Sequence, residues 1–325
     1  MRIAVIGAGA WGTALAINFA DRHEVTLISD DRAHADAINQ TAENARYLPG
    51  FTLPANIAAT EKLGDVADSE LLLLATPVAG LRPTLMALAK CAPTLPLIWV
   101  CKGLEADTGL LPHQIVAELR PGIASGVLTG PSFAEEVARG MPTAVVLAST
   151  DSAFARTFAA ALHGGSLRLY VSDDLIGAEV GGAVKNVLAI ATGVCDGLGL
   201  GPNARAALMT RGLAEITRFG VALGARAETF MGLTGVGDLM LTCTGDLSRN
   251  RRVCLGLAAG RTLSDVTSEL GHVAEGVPAA MEVARRADQL GIDMPITKAV
   301  VALLNGKLSP RDAVERLMAR DPTTE

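Results

Sequence analysis

Close to the start of the chain, Gly7-Ala8-Gly9-Ala10-Trp11-Gly12 sets three glycines in the spacing G-x-G-x-x-G. The residues before it, Arg2–Ile6, form a short apolar run that reads as a buried strand, and Gly12–Ala20 after it has helical periodicity. A strand, a glycine turn and a helix in that order form the context in which this spacing cradles a dinucleotide. Gly7 permits the tight turn, Gly9 lets the backbone approach a pyrophosphate, and Gly12 lets the helix pack closely on the strand. The N–H groups at the helix start hold the anion. The plainer alternative is a glycine-rich turn that only packs, and the flanking strand and helix weigh against it.

The rest of the first half repeats the theme. Glu24–Ser29, Glu70–Ala75, Leu95–Val100, Gly126–Leu128 and Thr143–Ala148 read as strands separated by helical patterns, which implies a parallel, doubly wound α/β sheet of Rossmann type. From Ile176 onward the patterns are helical: Gly182–Cys195, Ala204–Leu223, Arg251–Ala259, Pro278–Leu290 and Pro310–Met318. The sequence therefore divides into a dinucleotide-binding α/β domain, residues 1–176, and an all-helical substrate-binding domain, residues 177–325. Asp30 stands eighteen residues after Gly12, at the end of the second strand. A carboxylate there hydrogen-bonds the adenosine ribose and repels a 2′-phosphate, so NADH use is expected. Asp31 reads equally well as a solvated turn residue, and Arg32 nearby could instead accept a 2′-phosphate.

Composition removes several other classes. Half of the 325 residues are hydrophobic, so the chain is not disordered. Its net charge of −6 argues against general nucleic-acid binding. Five cysteines without a C-x-x-C pair argue against a disulfide framework or structural zinc, and no His/Cys cluster suggests a metal. The apolar N-terminus resembles a signal peptide only superficially, because glycines interrupt it and Asn18 and Asp21 fall where a cleavage site would lie. Mean hydropathy is +0.35, but the richest apolar stretch, Ala183–Cys195, carries Lys185 and Asn186, so no membrane span is expected.

Ligands of open α/β sheets bind beyond the carboxyl ends of the strands. Thr76-Pro77, Cys101-Lys102-Gly103 and Gly130-Pro131-Ser132-Phe133 lie there. Lys102 either faces this crevice or snorkels to the surface. Lys185 sits in a helix otherwise apolar all round, which is expected to be buried. A buried ammonium is either a tuned proton-transfer group or a structural partner of a carboxylate such as Glu179. The glycine-flanked Asp238 is either part of a plain turn or a neighbour of Lys185. Ser248-Arg249-Asn250-Arg251-Arg252 opens a helix with Ser248 as its N-cap. Three arginines there oppose the helix dipole, and a bound phosphate would resolve the conflict; the alternative is a solvated patch, or pairing with a neighbour such as Asp246.

Eight segments together carry a resemblance. They are GAGAWGTALA (7–16), CKGLE (101–105), GPSFAEEV (130–137), GGAVKNVLAI (181–190), NARAALMTRGLAE (203–215), GLTGVGDLMLTC (232–243), SRNRR (248–252) and VAEG (273–276). In this order they make the chain resemble the bacterial NAD(P)-dependent glycerol-3-phosphate dehydrogenases over nearly its whole length. The resemblance implies that Lys185 transfers the proton. It implies that Lys102, Gly130, Ser132, Lys185, Asp238, Ser248, Arg249 and Asn250 bind glycerol phosphate. It implies that Ala10, Trp11, Lys102, Ala134, Arg249, Val273 and Glu275 bind NAD or NADP. It also implies a cytoplasmic homodimer whose product feeds phospholipid synthesis. Many members carry a basic residue where this chain has Asp30-Asp31, a departure that bears on cofactor preference.

The expected chemistry is hydride transfer to C2 of dihydroxyacetone phosphate. Lys185 acts as general acid, Lys102 adds positive charge near the developing alkoxide, and Asp238 orients Lys185 or a substrate hydroxyl. Two other readings stay open on the sequence. One is a related keto-acid or hydroxy-acid reductase, against which the basic helix start argues. The other is a non-catalytic NAD(P) sensor, which needs neither a buried lysine nor an anion site.

Overall fold

The computed structural model describes residues 1–245, 249–258, 260, 261, 263, 265, 266 and 275–319, with the side chains of Arg249, Arg252 and Cys254 outside that description. Its contacts fall into two units. The first comprises Met1–Lys102 and Leu110–Ala178, and the second Gly103–Gly109 with the described residues from Glu179 onward.

The first unit is built on one sheet. Its strands are β1 (Arg2–Ile6), β2 (Glu24–Ile28), β3 (Ile57–Thr60), β4 (Leu71–Leu74), β5 (Leu97–Trp99), β6 (Ser125–Thr129), β7 (Thr143–Ala148) and β8 (Leu167–Ser172). They lie in the order β3-β2-β1-β4-β5-β6-β7-β8. The order reverses at β1, which pairs with β2 on one side (Ile6↔Ile28) and β4 on the other (Ile6↔Leu74). That reversal is where such sheets open a ligand crevice. The four leucines of β4 are all 0% exposed, as a strand covered on both faces requires. The connecting helices are α1 (Ala10–Ala20), α2 (Arg32–Thr41), α3 (Val78–Cys91), α4 (Pro112–Leu119), α5 (Ala134–Ala138) and α6 (Ser152–Leu162).

Two features depart from the sequence reading. The edge strand β3 and the edge strand β8 were not anticipated. In addition, β7 runs antiparallel to β6 (Leu128↔Leu147), so the sheet is mostly rather than wholly parallel. Nothing in a strand's side-chain pattern records its direction.

The second unit is helical: α7 (Leu175–Gly197, which begins in the first unit), α8 (Gly201–Ala222), α9 (Asp238–Thr244), α10 (Arg249–Ala258), α11 (Gly276–Gln289), α12 (Pro295–Leu304) and α13 (Pro310–Met318). Helix α12 was also missed on the sequence. By length and composition α7 could cross a membrane, yet it is almost wholly buried, as the core helix of this unit. A Cβ on Gly212 of α8 would meet Leu188 Cδ1 at 2.5 Å, which shows how closely α8 lies on α7. Glu215 of α8 is buried and accepts the N–H groups of Ile296 (2.6 Å) and Thr297 (3.2 Å), so it caps the start of α12 from a distance. Burial pushes its carboxyl above the ordinary range, and those hydrogen bonds oppose the shift.

Candidate active site

The glycine turn has the shape an anion needs. Gly7 has φ of +114°, and a Cβ there would lie 2.6 Å from the Ala75 carbonyl oxygen at the end of β4. Gly12 presses α1 onto this turn, where a Cβ would lie 2.1 Å from the Gly7 carbonyl. Gly9, in contrast, has nothing within 4 Å of a built Cβ. It stands at the N-cap of α1 and supplies no side chain to the first N–H groups. Open space over uncapped helix N–H groups fits a dinucleotide pyrophosphate. The turn is braced by Asn44, which donates to the Ala8 carbonyl (2.9 Å) and Thr13 Oγ1 (2.7 Å). His34 links Asn44 Oδ1 (2.9 Å) to Ser29 Oγ (3.0 Å); since Oδ1 can only accept, the imidazole proton is on Nε2. This buried relay was not found on the sequence, which singled out neither Asn44 nor His34. Ala10, Trp11 and Ala134, which opens α5, share one small apolar cluster around Ala14 and Val137.

Asp30, Asp31 and Arg32, which follow Ser29 just past the end of β2, do different things. Asp30 is exposed. Asp31 caps α2, accepting the His34 N–H at 3.3 Å, and pairs with Arg46 at 3.2 Å. The His34 N–H, then the Ala33 N–H and Arg46, hold the Asp31 carboxyl below its ordinary value. Arg32 lies 3.7 Å from Asp36 in an exposed pair. Arg46 is a basic group beside Asp31 that the sequence reading missed, because it is fifteen residues further on.

Past the ends of β5 and β6 in the same unit, Lys102 is half-buried and donates to the Gly130 carbonyl at 3.3 Å. Ser132 donates to that same oxygen at 3.1 Å. Gly130 has φ of +141°, a conformation strained for any residue with a side chain. Lys102, Gly130 and Ser132 are thus brought together.

In the second unit, Lys185 is 7% exposed on α7 and Asp238 is 1% exposed. The Lys185 ammonium donates to Asp238 Oδ1, and to Thr242 Oγ1 at 2.9 Å. Thr242 donates its own proton to the Asp238 carbonyl, one helical turn back (2.6 Å). Gly181 explains how Asp238 reaches this point. A Cβ at Gly181 would meet the Thr234 carbonyl oxygen at 2.2 Å, so only glycine lets the π-helical turn Leu233–Gly237 lie on α7 one turn before Lys185. The carboxylate then opens α9, where the helix dipole favours it. Lys185 is therefore paired with Asp238 rather than with Glu179. Thr242 escaped the sequence reading, although its place four residues after Asp238 on a helix is a usable signal.

Asn250, buried on α10, donates to Asn186 Oδ1 at 3.0 Å and accepts the Gly276 N–H at 3.0 Å. It ties the residue beside Lys185 to the start of α11, which Glu275 precedes at the N-cap. Arg251 donates to Asp196 at 2.9 Å, so it is not a free member of the basic cluster. Ser248 and Val273, and the proposed neighbour Asp246, lie outside the described residues, as does the side chain of Arg249.

A sheet of this order with a glycine-rich first turn, and a helical unit holding a buried Lys–Asp pair, define a dinucleotide-dependent oxidoreductase. The family models for the N-terminus and the C-terminus of NAD-dependent glycerol-3-phosphate dehydrogenase match residues 2–155 and 174–315. The chain belongs to that family. The glycerol-3-phosphate dehydrogenase (NAD(P)+) of Dechloromonas aromatica is 61% identical over 327 residues, covering 100% of this chain and 99% of the relative. That of Variovorax paradoxus is 58% identical, again with 100% of this chain and 99% of the relative covered. Among solved structures, glycerol-3-phosphate dehydrogenase from Coxiella burnetii superposes with a TM-score of 0.95 at 39% identity, covering 98% of this chain and 99% of the other. These similarities support the glycerol-3-phosphate reading and not the keto-acid reductase or the sensor.

Proposed function

We propose that this chain interconverts dihydroxyacetone phosphate and sn-glycerol 3-phosphate with NAD(P)H, and so supplies glycerol 3-phosphate for phospholipid synthesis. The observation that carries the reading is the buried Lys185–Asp238 pair in a member of this family. Bound NAD(P)H supplies the hydride. Lys185 gives a proton to the oxygen on C2 as that oxygen gains charge, and takes it back in the reverse direction. Asp238 and Thr242 together fix the direction of Nζ. Lys102 adds positive charge at the reacting oxygen, and the Gly130–Ser132 turn holds Lys102 in place. Arg249, Asn250 and Ser248 take the phosphate at the start of α10, where helix N–H groups and a guanidinium suit an anion. Gly7, Gly9, Ala10, Trp11, Gly12, Asp30, Arg32, Ala134, Val273 and Glu275 serve the cofactor, with Lys102 and Arg249 in both roles.

In this reading residues 1–176 carry the nucleotide and residues 177–325 most of the substrate contacts. The chain works in the cytoplasm as a homodimer. Among the described residues, Cys91, Cys101, Cys195 and Cys243 are outside any disulfide, which suits a reducing compartment, and light scattering on the purified chain tests the dimer. The activity is tested by following the oxidation of NADH and of NADPH. Oxidation should occur with dihydroxyacetone phosphate and not with a panel of 2-keto acids. Turnover of a keto acid, or of neither, would overturn the proposal.

A further inference from the structure

We propose that Asp196 is a positioning residue for the substrate phosphate, acting through Arg251 on the first turn of α10. The proposal rests on the reading of Arg249 and Asn250 as phosphate-binding residues.

Asp196 lies near the end of α7, with its side chain 13% exposed. Its Oδ2 accepts Arg251 Nε at 2.9 Å, and both its oxygens lie within reach of Arg205 Nη1 from α8, at 3.1 and 3.2 Å. One carboxylate thus joins three helices. Arg251 is 16% exposed, so this pair is shielded from the solvent screening that empties surface pairs of value. Helix α10 also rests on α7 further along: a Cβ on Gly197 would meet Ala258 Cβ at 2.4 Å. That contact sets the distance between the helices. The rotation of α10 about its axis is fixed at its first turn through two adjacent residues, Arg251 and Asn250, which also accepts the Gly276 N–H. Asn250 bonds to Asn186, and Arg251 bonds to Asp196. Adjacent residues point about 100° apart around a helix, so the two bonds together lock the rotation. The helix turn so oriented carries Arg249 and Asn250, the residues read as meeting the phosphate. Of the two arginines on Asp196, Arg251 lies on α10 and Arg205 does not.

An ion pair that only stabilises the helices would affect every substrate alike. A positioning pair affects the phosphorylated one. The measurement is kcat and KM for dihydroxyacetone phosphate and for unphosphorylated dihydroxyacetone, in the wild type and in Asp196→Asn, Arg251→Gln, Arg205→Gln and Arg249→Ala. Asp196→Asn and Arg251→Gln should raise KM for the phosphorylated substrate and cut its kcat/KM roughly ten- to a hundredfold. The unphosphorylated substrate should change by less than about twofold. Their double variant should be no worse than either single one, because both remove the same link. Arg205→Gln should keep the wild-type ratio between the two substrates. If Asp196→Asn does not fold, Arg251→Gln carries the same test. Equal losses on both substrates in Arg251→Gln, or no loss, would overturn the role of Asp196, provided Arg249→Ala separates the substrates. If Arg249→Ala fails to separate them, the phosphate reading itself falls.

Discussion

Replacing Asp238 with asparagine removes one charge from the candidate centre and little else. The side chain keeps its size and an oxygen that can accept from Lys185. Because Asp238 is 1% exposed and the Lys185 side chain 9%, water cannot replace the lost carboxylate. Removing one member of a buried pair leaves an uncompensated charge, at a cost of about 3–5 kcal/mol. A domain of this size loses roughly 2–4 °C in Tm per kcal/mol, so unfolding of the helical unit should shift down by roughly 6–20 °C. Thr242→Val removes the hydrogen bond to the ammonium and the hydroxyl's own bond to the Asp238 carbonyl but no charge, and should cost less, about 1.5–3 kcal/mol. The double variant Lys185→Met with Asp238→Leu removes both charges and should recover most of the loss, while remaining inactive. Thermal and urea unfolding of the cofactor-free protein, followed by circular dichroism, measures all three. If Asp238→Asn costs less than about 1 kcal/mol, or the double variant is less stable than the single one, the pair is not the desolvated charge couple described here.

Further outcomes follow from the cofactor end and the core. Gly9→Ala should weaken NADH binding in calorimetry without lowering Tm, because a Cβ there meets nothing in the protein but fills the anion cradle, whereas Gly12→Ala, 2.1 Å from the Gly7 carbonyl, should destabilise the fold by roughly 1–3 kcal/mol. The wild type should use NADH at least as well as NADPH, and Asp30→Ser should narrow the gap in kcat/KM, since Asp31 is already committed to the α2 cap and Arg46; a strong wild-type preference for NADPH would instead assign control to Arg32 or Arg46. Burial pushes the Cys243 thiol up to about 11, so alkylation of the native protein near about pH 8 should leave Cys243 unmodified in peptide mass mapping, and labelling there would contradict its burial.

The parts of the fold that were legible in the sequence are those whose environment is uniform. A strand covered on both faces is a continuous apolar run, as in Leu71–Leu74, and an interior helix is apolar all round, as in Gly182–Cys195. Edge strands lack that signature. β8 alternates buried Leu167 and Leu169 with exposed Arg168 and Tyr170, and β3 has only four residues, two of them alanine. The site follows the same rule. Lys185 stood out because a charge in an apolar helix conflicts with its surroundings, and Asp238 because glycines isolate it. Thr242, Asn44 and Arg46 conflict with nothing locally. Their roles come from partners 57, 36 and 15 residues away in the chain, which only the fold brings near.

The central claim is that Lys185 moves the proton, and Lys185→Ala tests it most directly. Steady-state turnover of dihydroxyacetone phosphate would be measured alongside NADH affinity by fluorescence on the same preparation. The account predicts that kcat falls by about 10²–10⁴-fold, the usual contribution of a general acid, while NADH affinity stays within about twofold. A variant that keeps near-normal kcat would contradict the account and remove Lys185 from the chemistry.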